Sequence, residues 1–389
     1  MRLLFLGALP CLLAAQAPLT YDQILASARP APEAARAEAR LAEAGQRLQE
    51  TRGLLREGPT LALTAGPRRS PGASTSTDRS LELDLPLFLS PSSRRALAQG
   101  LAEGAPLIRE AARRESRLRL RAAYLDAWLA ERELALREAD VATVARWLDA
   151  ARARLDAGAD PAFQVSLVQG EQLKALQERD EARTRRGAAW ARLAALAELP
   201  FGPVPLAEPG APAWPEGADL DALEACPLAK ALKAQADLDA QSLRLEEAQA
   251  LNRWSLRASC GREGEETVGR LGLALRLPRP GEASVRRRAT ESQRQVLRAE
   301  ARQALAELGA RLQDLRARFA AREVEAPLPD FRQAVEAVGL RLQEGKERPS
   351  EALPIRRQLL EAQLAALRRH HAHHTLAAEL QSLLPEVKP

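Results

Sequence analysis

A long stretch without helix breakers constrains the fold of this chain most strongly. Residues 107–157 contain neither glycine nor proline and consist mainly of Ala, Leu, Arg and Glu, which favour helices. Such a helix would be about 75 Å long at a rise of about 1.5 Å per residue, which is too long for an ordinary globular domain. Its apolar residues recur every seven positions, at Leu120, Ala127, Leu134, Val141, Leu148 and Leu155. A seven-residue apolar repeat predicts a coiled coil.

The long helix ends in a turn, and a second long helix returns from it. Arg154 and Leu155 are followed by Gly158, which suits the left-handed residue at a helix end, and by Pro161, which suits the first turn of the next helix. The return helix is predicted over 161–199. The same order recurs at Arg341, Leu342 and Gly345. We therefore predict two long helical hairpins.

Two pairs of β-strands are predicted from alternation of apolar and polar residues. Leu81, Leu83 and Leu85 alternate with Glu82 and Asp84, and a loop rich in Arg, Ser, Pro and Gly separates them from an earlier alternating segment. Period-two alternation on both sides of a turn is typical of a β-hairpin. In a soluble protein such a hairpin would be half-buried, and in an exported protein it would also suit a membrane β-barrel. The pattern alone leaves both interpretations open.

The second half of the chain repeats the element order of the first. The distance from Pro86 to Pro278 is 192 residues and that from Gly158 to Gly345 is 187 residues, by subtraction of positions. The first repeat (18–199) is predicted to hold a helix at 32–57, strands at 59–69 and 77–87, and helices at 92–157 and 161–199. A proline-rich linker at 200–226 follows. The second repeat (227–384) is predicted to hold a helix at 227–251, strands at 253–262 and 267–277, and helices at 283–326, 330–344 and 350–384, before a tail at 385–389.

Neither repeat has the core of an independent domain, because a two-stranded hairpin is marginal alone. Copies assembled around an axis would close the strands into a barrel and the helices into a tube, which removes the strand edges. Residues 1–17, with Arg2 before an apolar run and small residues at the end, indicate a secretory signal peptide rather than a membrane span. Only Cys226 and Cys260 follow the signal peptide, too few for a disulfide scaffold.

The composition argues against nucleic-acid binding and catalysis. The net charge is +5, but 57 basic residues are interspersed with 52 acidic ones and aromatic residues make up 3% of the chain, so no basic aromatic patch is expected. Phosphate-binding and dinucleotide loops are missing from the sequence, and its only histidines lie in one cluster. We therefore predict that the protein is not an enzyme and that it needs no cofactor.

In this order of elements the sequence resembles the TolC-like outer-membrane efflux proteins. The resemblance rests on the signal peptide, on the duplicated element order, on both copies of the Arg-Leu-x-x-Gly turn, and on Leu85–Pro86–Leu87–Phe88 after the strands. Leu328–Pro329–Asp330 and the segment 357–363 resemble the branch that serves heavy-metal and cation pumps. The resemblance implies an α+β membrane protein: a homotrimer with a twelve-stranded outer-membrane β-barrel continued by a twelve-helix periplasmic α-barrel.

The family resemblance also implies partners and sites. The protein would be the passive exit duct of a tripartite pump, with an inner-membrane transporter and a periplasmic adaptor as partners. The adaptor would dock at the two turns, at Arg154, Leu155, Gly158, Arg341, Leu342 and Gly345. Glu351 occupies the position of an acidic gate ring in the family, whereas Pro354 replaces the next acidic residue of that pattern. The alternative for Glu351 is a charge that favours the helix dipole in a first helical turn.

The four histidines form a second candidate site. His370, His371, His373 and His374 lie together, and the spacing of His370 and His374 places them on one face of a helix, as in a metal-binding pair. The alternative is a polar helix surface without a bound metal. For the whole protein, two other functions compete with the exit duct: a periplasmic adaptor and a soluble periplasmic coiled-coil scaffold. An adaptor normally has one helical hairpin, whereas two are predicted here.

Overall fold

A computed structural model describes most of the chain. The described ranges are 17–28, 32–50, 58–68, 76–87, 91–199, 202–210, 223–251, 254–263, 266–275, 280–321 and 331–384. The predicted signal peptide up to residue 16, the tail 385–389, Phe88 and 328–330 lie outside these residues.

Eight α-helices and four strands follow each other within the described residues. The helices are α1 (Tyr21–Ala26), α2 (Pro32–Glu50), α3 (Pro91–Asp156), α4 (Ala162–Leu196), α5 (Pro227–Leu251), α6 (Glu282–Ala320), α7 (Arg332–Gln343) and α8 (Pro349–Leu383). The strands are β1 (Thr60–Arg68), β2 (Ser76–Pro86), β3 (Trp254–Glu263) and β4 (Glu266–Leu275), and a short 3₁₀ helix covers Leu223–Ala225. None of the helices in the described ranges carries an apolar segment long enough to cross a membrane.

The four strands form one antiparallel sheet in the order β1-β2-β3-β4. β2, from the first half of the sequence, pairs with β3, from the second half, with Leu83 opposite Ala258 and Leu85 opposite Leu256. The two predicted hairpins are therefore joined into a single open sheet, whose outer strands are β1 and β4.

The sheet has one apolar face and one charged face. The registers place the leucines of β1, β2 and β4 on the same face: Leu61, Leu63, Leu81, Leu83, Leu85, Leu271, Leu273 and Leu275. Most of this face is exposed, and Leu63 has 78% of its surface accessible. On the other face Arg257 Nε lies 3.4 Å from Asp84 Oδ2 and 3.9 Å from Glu82 Oε1. Apolar side chains thus face solvent in the single chain while the charged side chains pair with each other.

The chain divides into two compact units that do not coincide with the predicted sequence repeats. One unit comprises 1–31, 114–218 and 315–389, and the other comprises 32–113 and 219–314. Each unit therefore takes segments from both halves of the sequence. Since α3 and α6 contribute residues to both units, two of the division points fall within these helices, and a third falls within the predicted linker, at 218/219.

The unit that contains the sheet has its own apolar cluster among helices. Leu41 and Ala44 of α2 pack with Leu97 and Ile108 of α3, and Leu238 of α5 is also buried there. Leu41 and Ala44 lie on the apolar side of α2, which is an amphipathic helix.

The other unit contains the ends of the long hairpins. Trp128 and Leu125 of α3, Leu193 of α4 and Leu367 of α8 form one buried cluster, which Ile24 of α1 joins. Described residues of the predicted linker pack there as well. Leu206 is buried, its backbone N–H donates to Glu131 at 3.0 Å, and the Tyr124 hydroxyl donates to the Ala207 carbonyl at 2.5 Å. Burial raises the pKa of Tyr124 to about 12, with a smaller contribution from the Glu131 carboxylate.

Candidate docking site at the two helix turns

The turns that end α3 and α7 have the same backbone hydrogen bonds. In the first turn the N–H of Ala159 donates to the Arg154 carbonyl at 2.8 Å, and in the second that of Lys346 donates to the Arg341 carbonyl at 2.8 Å. This bond, with a left-handed glycine at the helix end, is a Schellman motif. Gly158 and Gly345 supply the left-handed residue, with φ of 71° and 75°.

Each turn also closes an ion pair between its arginine and an acid six residues later. Arg154 donates to both carboxylate oxygens of Asp160, at 2.6 and 3.0 Å. Arg341 Nη1 lies 3.3 Å from Glu347 Oε1. The hydrogen bond from Arg154 is the main reason why the pKa of Asp160 is lowered. The acid at this spacing recurs in both copies of the turn motif, so comparing the copies would have revealed the pair.

The two turns are linked to each other within one chain. Arg154 Nη1 donates to the Leu342 carbonyl of the second turn at 3.4 Å. Gln164 of α4 accepts from the backbone N–H of Ser350 at 3.2 Å, and its amide donates to the Ser350 hydroxyl at 3.4 Å. Val165 and Leu342 also share one buried cluster. The predicted docking residues of the two hairpins therefore lie together in one compact unit.

The predicted docking residues differ in exposure. Gly158 and Gly345 are exposed, Leu155 is half-buried, and Leu342 is fully buried. The Arg154 side chain is 17% exposed, whereas that of Arg341 is 60% exposed. Among the predicted docking residues, the two glycines and Arg341 are thus the most accessible to a partner, whereas Arg154 and Leu342 lie beneath the surface.

The candidate gate residue, Glu351, lies in the first turn of α8. It is exposed, and its carboxylate accepts from the backbone N–H of Arg348 at 3.4 Å. This contact is the reciprocal half of a capping box, and a carboxylate there also favours the helix dipole. The observed contact fits the second interpretation of Glu351, and a gate role stays a prediction.

A groove opens beside the second turn, between α3, α7 and α8. Its volume is about 560 Å³, and its walls include Trp147 of α3, Leu340 of α7 and Leu360 of α8. Leu340 is exposed, and the Cβ that an alanine would add at Gly339 would lie 3.0 Å from the Trp147 ring nitrogen. The glycine thus permits close packing of α7 on α3, and the groove offers apolar surface next to the turns.

A buried ionic cluster holds α8 to α3 and α4 in the same unit. Arg356 of α8 donates to Asp140 of α3, and to Glu171 of α4 at 2.8 Å. Arg357 also donates to both oxygens of Glu171, through Nε at 2.8 Å and through Nη2. Arg356 is 5% exposed and Arg357 is 47% exposed. The sequence does not single out this cluster, because ion pairing along helix surfaces is expected for every charge in the long helices.

The structure brings two of the four histidines together. The Nε2 atoms of His370 and His374 lie 3.1 Å apart, whereas His371 pairs with Asp126 of α3 at 3.0 Å. Burial, followed by the positive charge of nearby groups, lowers the pKa of His374 to about 4. Among the residues that the structure describes, no three or more His, Cys, Asp or Glu side chains are placed to hold a metal ion. A metal site at the four histidines stays a prediction, with His370 and His374 as its central pair.

Substituting the two turn glycines is expected to have unequal effects. Alanine at either position would be forced into the left-handed region, which costs about 1–2 kcal/mol. A Cβ at Gly345 would also lie 2.5 Å from Arg154 Nη1 and would force the guanidinium away from its hydrogen bonds to Asp160, whereas one at Gly158 has open space around it. We therefore expect Gly345→Ala to lower the thermal unfolding temperature in detergent more than Gly158→Ala.

Gly170→Ala is the matched control for the glycine substitutions. Gly170 lies inside α4 with open space around its Cα, so alanine there should leave stability unchanged or raise it slightly. An equal loss of stability for Gly158→Ala and Gly345→Ala would contradict the contact between Gly345 and Arg154.

Several solved structures share this fold. The Campylobacter jejuni CmeC outer membrane channel matches with a TM-score of 0.68 at 12% sequence identity, covering 93% of this chain and 84% of that one. The outer membrane protein VceC of Vibrio cholerae matches with a TM-score of 0.68 at 17% identity, covering 93% and 95%. The Neisseria gonorrhoeae MtrE outer membrane channel in its open state matches with a TM-score of 0.63 at 17% identity, covering 93% and 87%.

These matches confirm the predicted resemblance in fold: the chain has the architecture of TolC-like outer-membrane channels over nearly its whole length. No protein-family model and no curated protein sequence matches the chain. The likeness is therefore one of structure at low sequence identity.

Proposed function

We propose that this protein is the outer-membrane exit duct of a tripartite efflux pump. The observation that carries the proposal is the sheet with one exposed leucine face and one charged face, within a fold shared with outer-membrane channels. A leucine face suits lipid, and the Arg257, Asp84 and Glu82 side chains suit a water-filled interior. Three copies of the four-stranded sheet would close a twelve-stranded barrel and remove the open edges at β1 and β4.

The long helices would form the periplasmic tunnel of the trimer, and the turns would be its docking end. Support comes from the exposed turn glycines, from the exposed Arg341, and from the adjoining groove with Leu340. The proposed occupant is a helical hairpin of a periplasmic adaptor. Its helices could lie in the groove while the loop that joins them contacts the turns. Transport energy would come from an inner-membrane pump, and the duct itself would have no catalytic role.

The barrel is tested by a charge placed on either face of β1. Leu63 lies on the leucine face, and Ala62 lies on the opposite face beside Glu82. An arginine facing lipid costs about 2–4 kcal/mol near the bilayer centre, whereas one facing a water-filled interior costs little. We expect wild type and Ala62→Arg to fractionate as detergent-resistant trimers in the outer membrane, and Leu63→Arg to yield much less trimer.

Equal trimer yields for Leu63→Arg and Ala62→Arg would contradict the lipid-facing assignment of the leucines. If the wild-type protein were a soluble monomer, this would contradict the exit-duct proposal and favour a periplasmic scaffold.

The docking end is tested by crosslinking in cells. A photo-reactive amino acid at Ala159 or Gln343, both exposed beside the turns, should capture a periplasmic adaptor. The same probe at Ala191, which is exposed on α4 far along the chain from either turn, serves as the control. Recovery of adaptor from Ala191 but not from the turns would contradict docking there. If the chain were itself the adaptor, an outer-membrane channel would be recovered instead.

A further inference from the structure

The two arginines of the repeated turn motif occupy different environments, although their local sequences and backbone hydrogen bonds match. Arg154 is largely buried, holds Asp160 through two hydrogen bonds and reaches the Leu342 carbonyl of the second turn. Arg341 extends into solvent and pairs with Glu347 through a single contact. The two turns therefore share the Arg-Leu-x-x-Gly motif, but its arginine is buried in one copy and exposed in the other.

We propose that the two arginines have separate roles in docking, an inference that rests on the proposed function of the turns. Arg154 is a positioning residue that fixes both turns as one rigid platform, and Arg341 is the residue that contacts the partner. The partner surface that Arg341 fits is acidic, on the end of a helical hairpin.

The position of Arg154 explains the first role. Its guanidinium lies between the two turns, so that even the Cβ of an alanine at Gly345 would come within 2.5 Å of Nη1. Its planar fork binds the Asp160 carboxylate with Nε and Nη2 and leaves Nη1 for the Leu342 carbonyl. Lysine could not reproduce this arrangement, because all its donors lie on one nitrogen and cannot bind both Asp160 oxygens side by side while reaching the Leu342 carbonyl. Loss of Arg154 would release both turns together.

The charges around Arg341 define the chemistry of the partner. The exposed basic side chains of the second turn are Arg341, Lys346 and Arg348, of which Lys346 is paired with Glu344 at 2.6 Å. Over matching spans the second turn (341–348) carries three basic and two acidic side chains, whereas the first (154–161) carries one basic and two acidic. The second turn is thus the more basic one, and the exposed guanidinium has donors left for carboxylates. An acidic hairpin end would be attracted to the second turn and not to the first.

The matched pair Arg154→Gln and Arg341→Gln tests the proposal in the full-length protein. Hydrogen exchange of the turn amides is measured on the purified protein in detergent, and adaptor crosslinking from Ala159 and Gln343 is measured in cells. We expect Arg341→Gln to reduce crosslinking from Gln343 about tenfold with unchanged exchange in both turns, and Arg341→Lys to retain most of it. We expect Arg154→Gln and Arg154→Lys alike to speed exchange at 155–160 and 342–347 about tenfold and to reduce crosslinking from both sites.

Two results would overturn the division of roles: faster exchange in Arg341→Gln, or unchanged exchange in Arg154→Gln. If crosslinking from Gln343 persisted in both Arg341→Gln and Arg341→Glu, the inference of an acidic partner surface would be wrong. Absence of any adaptor crosslink in the wild type would count against the proposed function, while the exchange measurements would still decide the role of Arg154.

Discussion

Arg356→Met is expected to destabilise the helical region by about 3–5 kcal/mol, the range found when one partner of a buried ion pair is removed. Asp140 and Glu171 are both buried, and Arg356 binds them from α8. Without its guanidinium Asp140 would keep a buried charge that lacks this partner, and Glu171 would keep only its contact with the more exposed Arg357. The loss should be measured by urea unfolding of the detergent-solubilised protein, followed by far-ultraviolet circular dichroism.

Arg357→Met provides the control because it removes a neighbouring arginine from the same carboxylate. Since Arg357 is 47% exposed and Glu171 would retain Arg356, we expect a loss below about 1 kcal/mol. The triple variant Arg356→Met, Asp140→Leu, Glu171→Met replaces the cluster with apolar side chains and should recover most of the lost stability. If Arg356→Met were no worse than Arg357→Met, the buried cluster would not hold α8 in place.

The stability of the protein is expected to fall between pH 6.5 and pH 4 because of His374. Its pKa is lowered from 6.5 to about 4, so the unfolded chain binds a proton in this range that the folded chain does not. The stabilisation is therefore complete above pH 6.5 and is lost as the pH falls to about 4. A shift of this size corresponds to roughly 3–4 kcal/mol, at about 1.4 kcal/mol per pKa unit. The contribution of Asp160 to stability is lost only at lower pH, because the pKa of its carboxyl lies below its ordinary value of 3.8.

The His374 effect can be separated from that of other groups by comparing pH profiles. Thermal unfolding of the wild type at pH 7.5 and pH 4.5 should differ more than that of His374→Leu, in which no imidazole is buried at this position. His373→Leu is the matched control on the same helix, since His373 is only half-buried. A His374→Leu profile as steep as that of the wild type would show that another group titrates in this range.

Local patterns were sufficient to predict most of the elements. The alternation of Leu81, Leu83 and Leu85 with acids marked β2, since strand faces follow a period of two that is visible in any short segment. The seven-residue apolar repeat indicated the long helices in the same way. The whole-chain comparison of these elements, rather than any single motif, gave the resemblance in fold that the solved structures confirm.

Details that depend on packing could not be predicted in this way. Arg356 and Arg357 are neighbours of the same type, and the sequence does not tell which of them turns inward, because that depends on where α3 and α4 lie around α8. Residues 202–210 have no periodicity and their prolines predict a linker, although Leu206 is buried and Tyr124 and Glu131 bind the backbone there. The different positions of Arg154 and Arg341 are equally invisible in two matching motifs.

The unequal turns also determine how many kinds of binding position a trimer would offer. In the proposed ring six turns would alternate around the axis, and three of them would carry an inward arginine and three an outward one. Adaptor hairpins that are identical in sequence would then meet two non-equivalent binding positions, of which one is basic and the other is not. Occupancy at the docking end should accordingly fill in two steps with different affinities, even though the partner is a single protein.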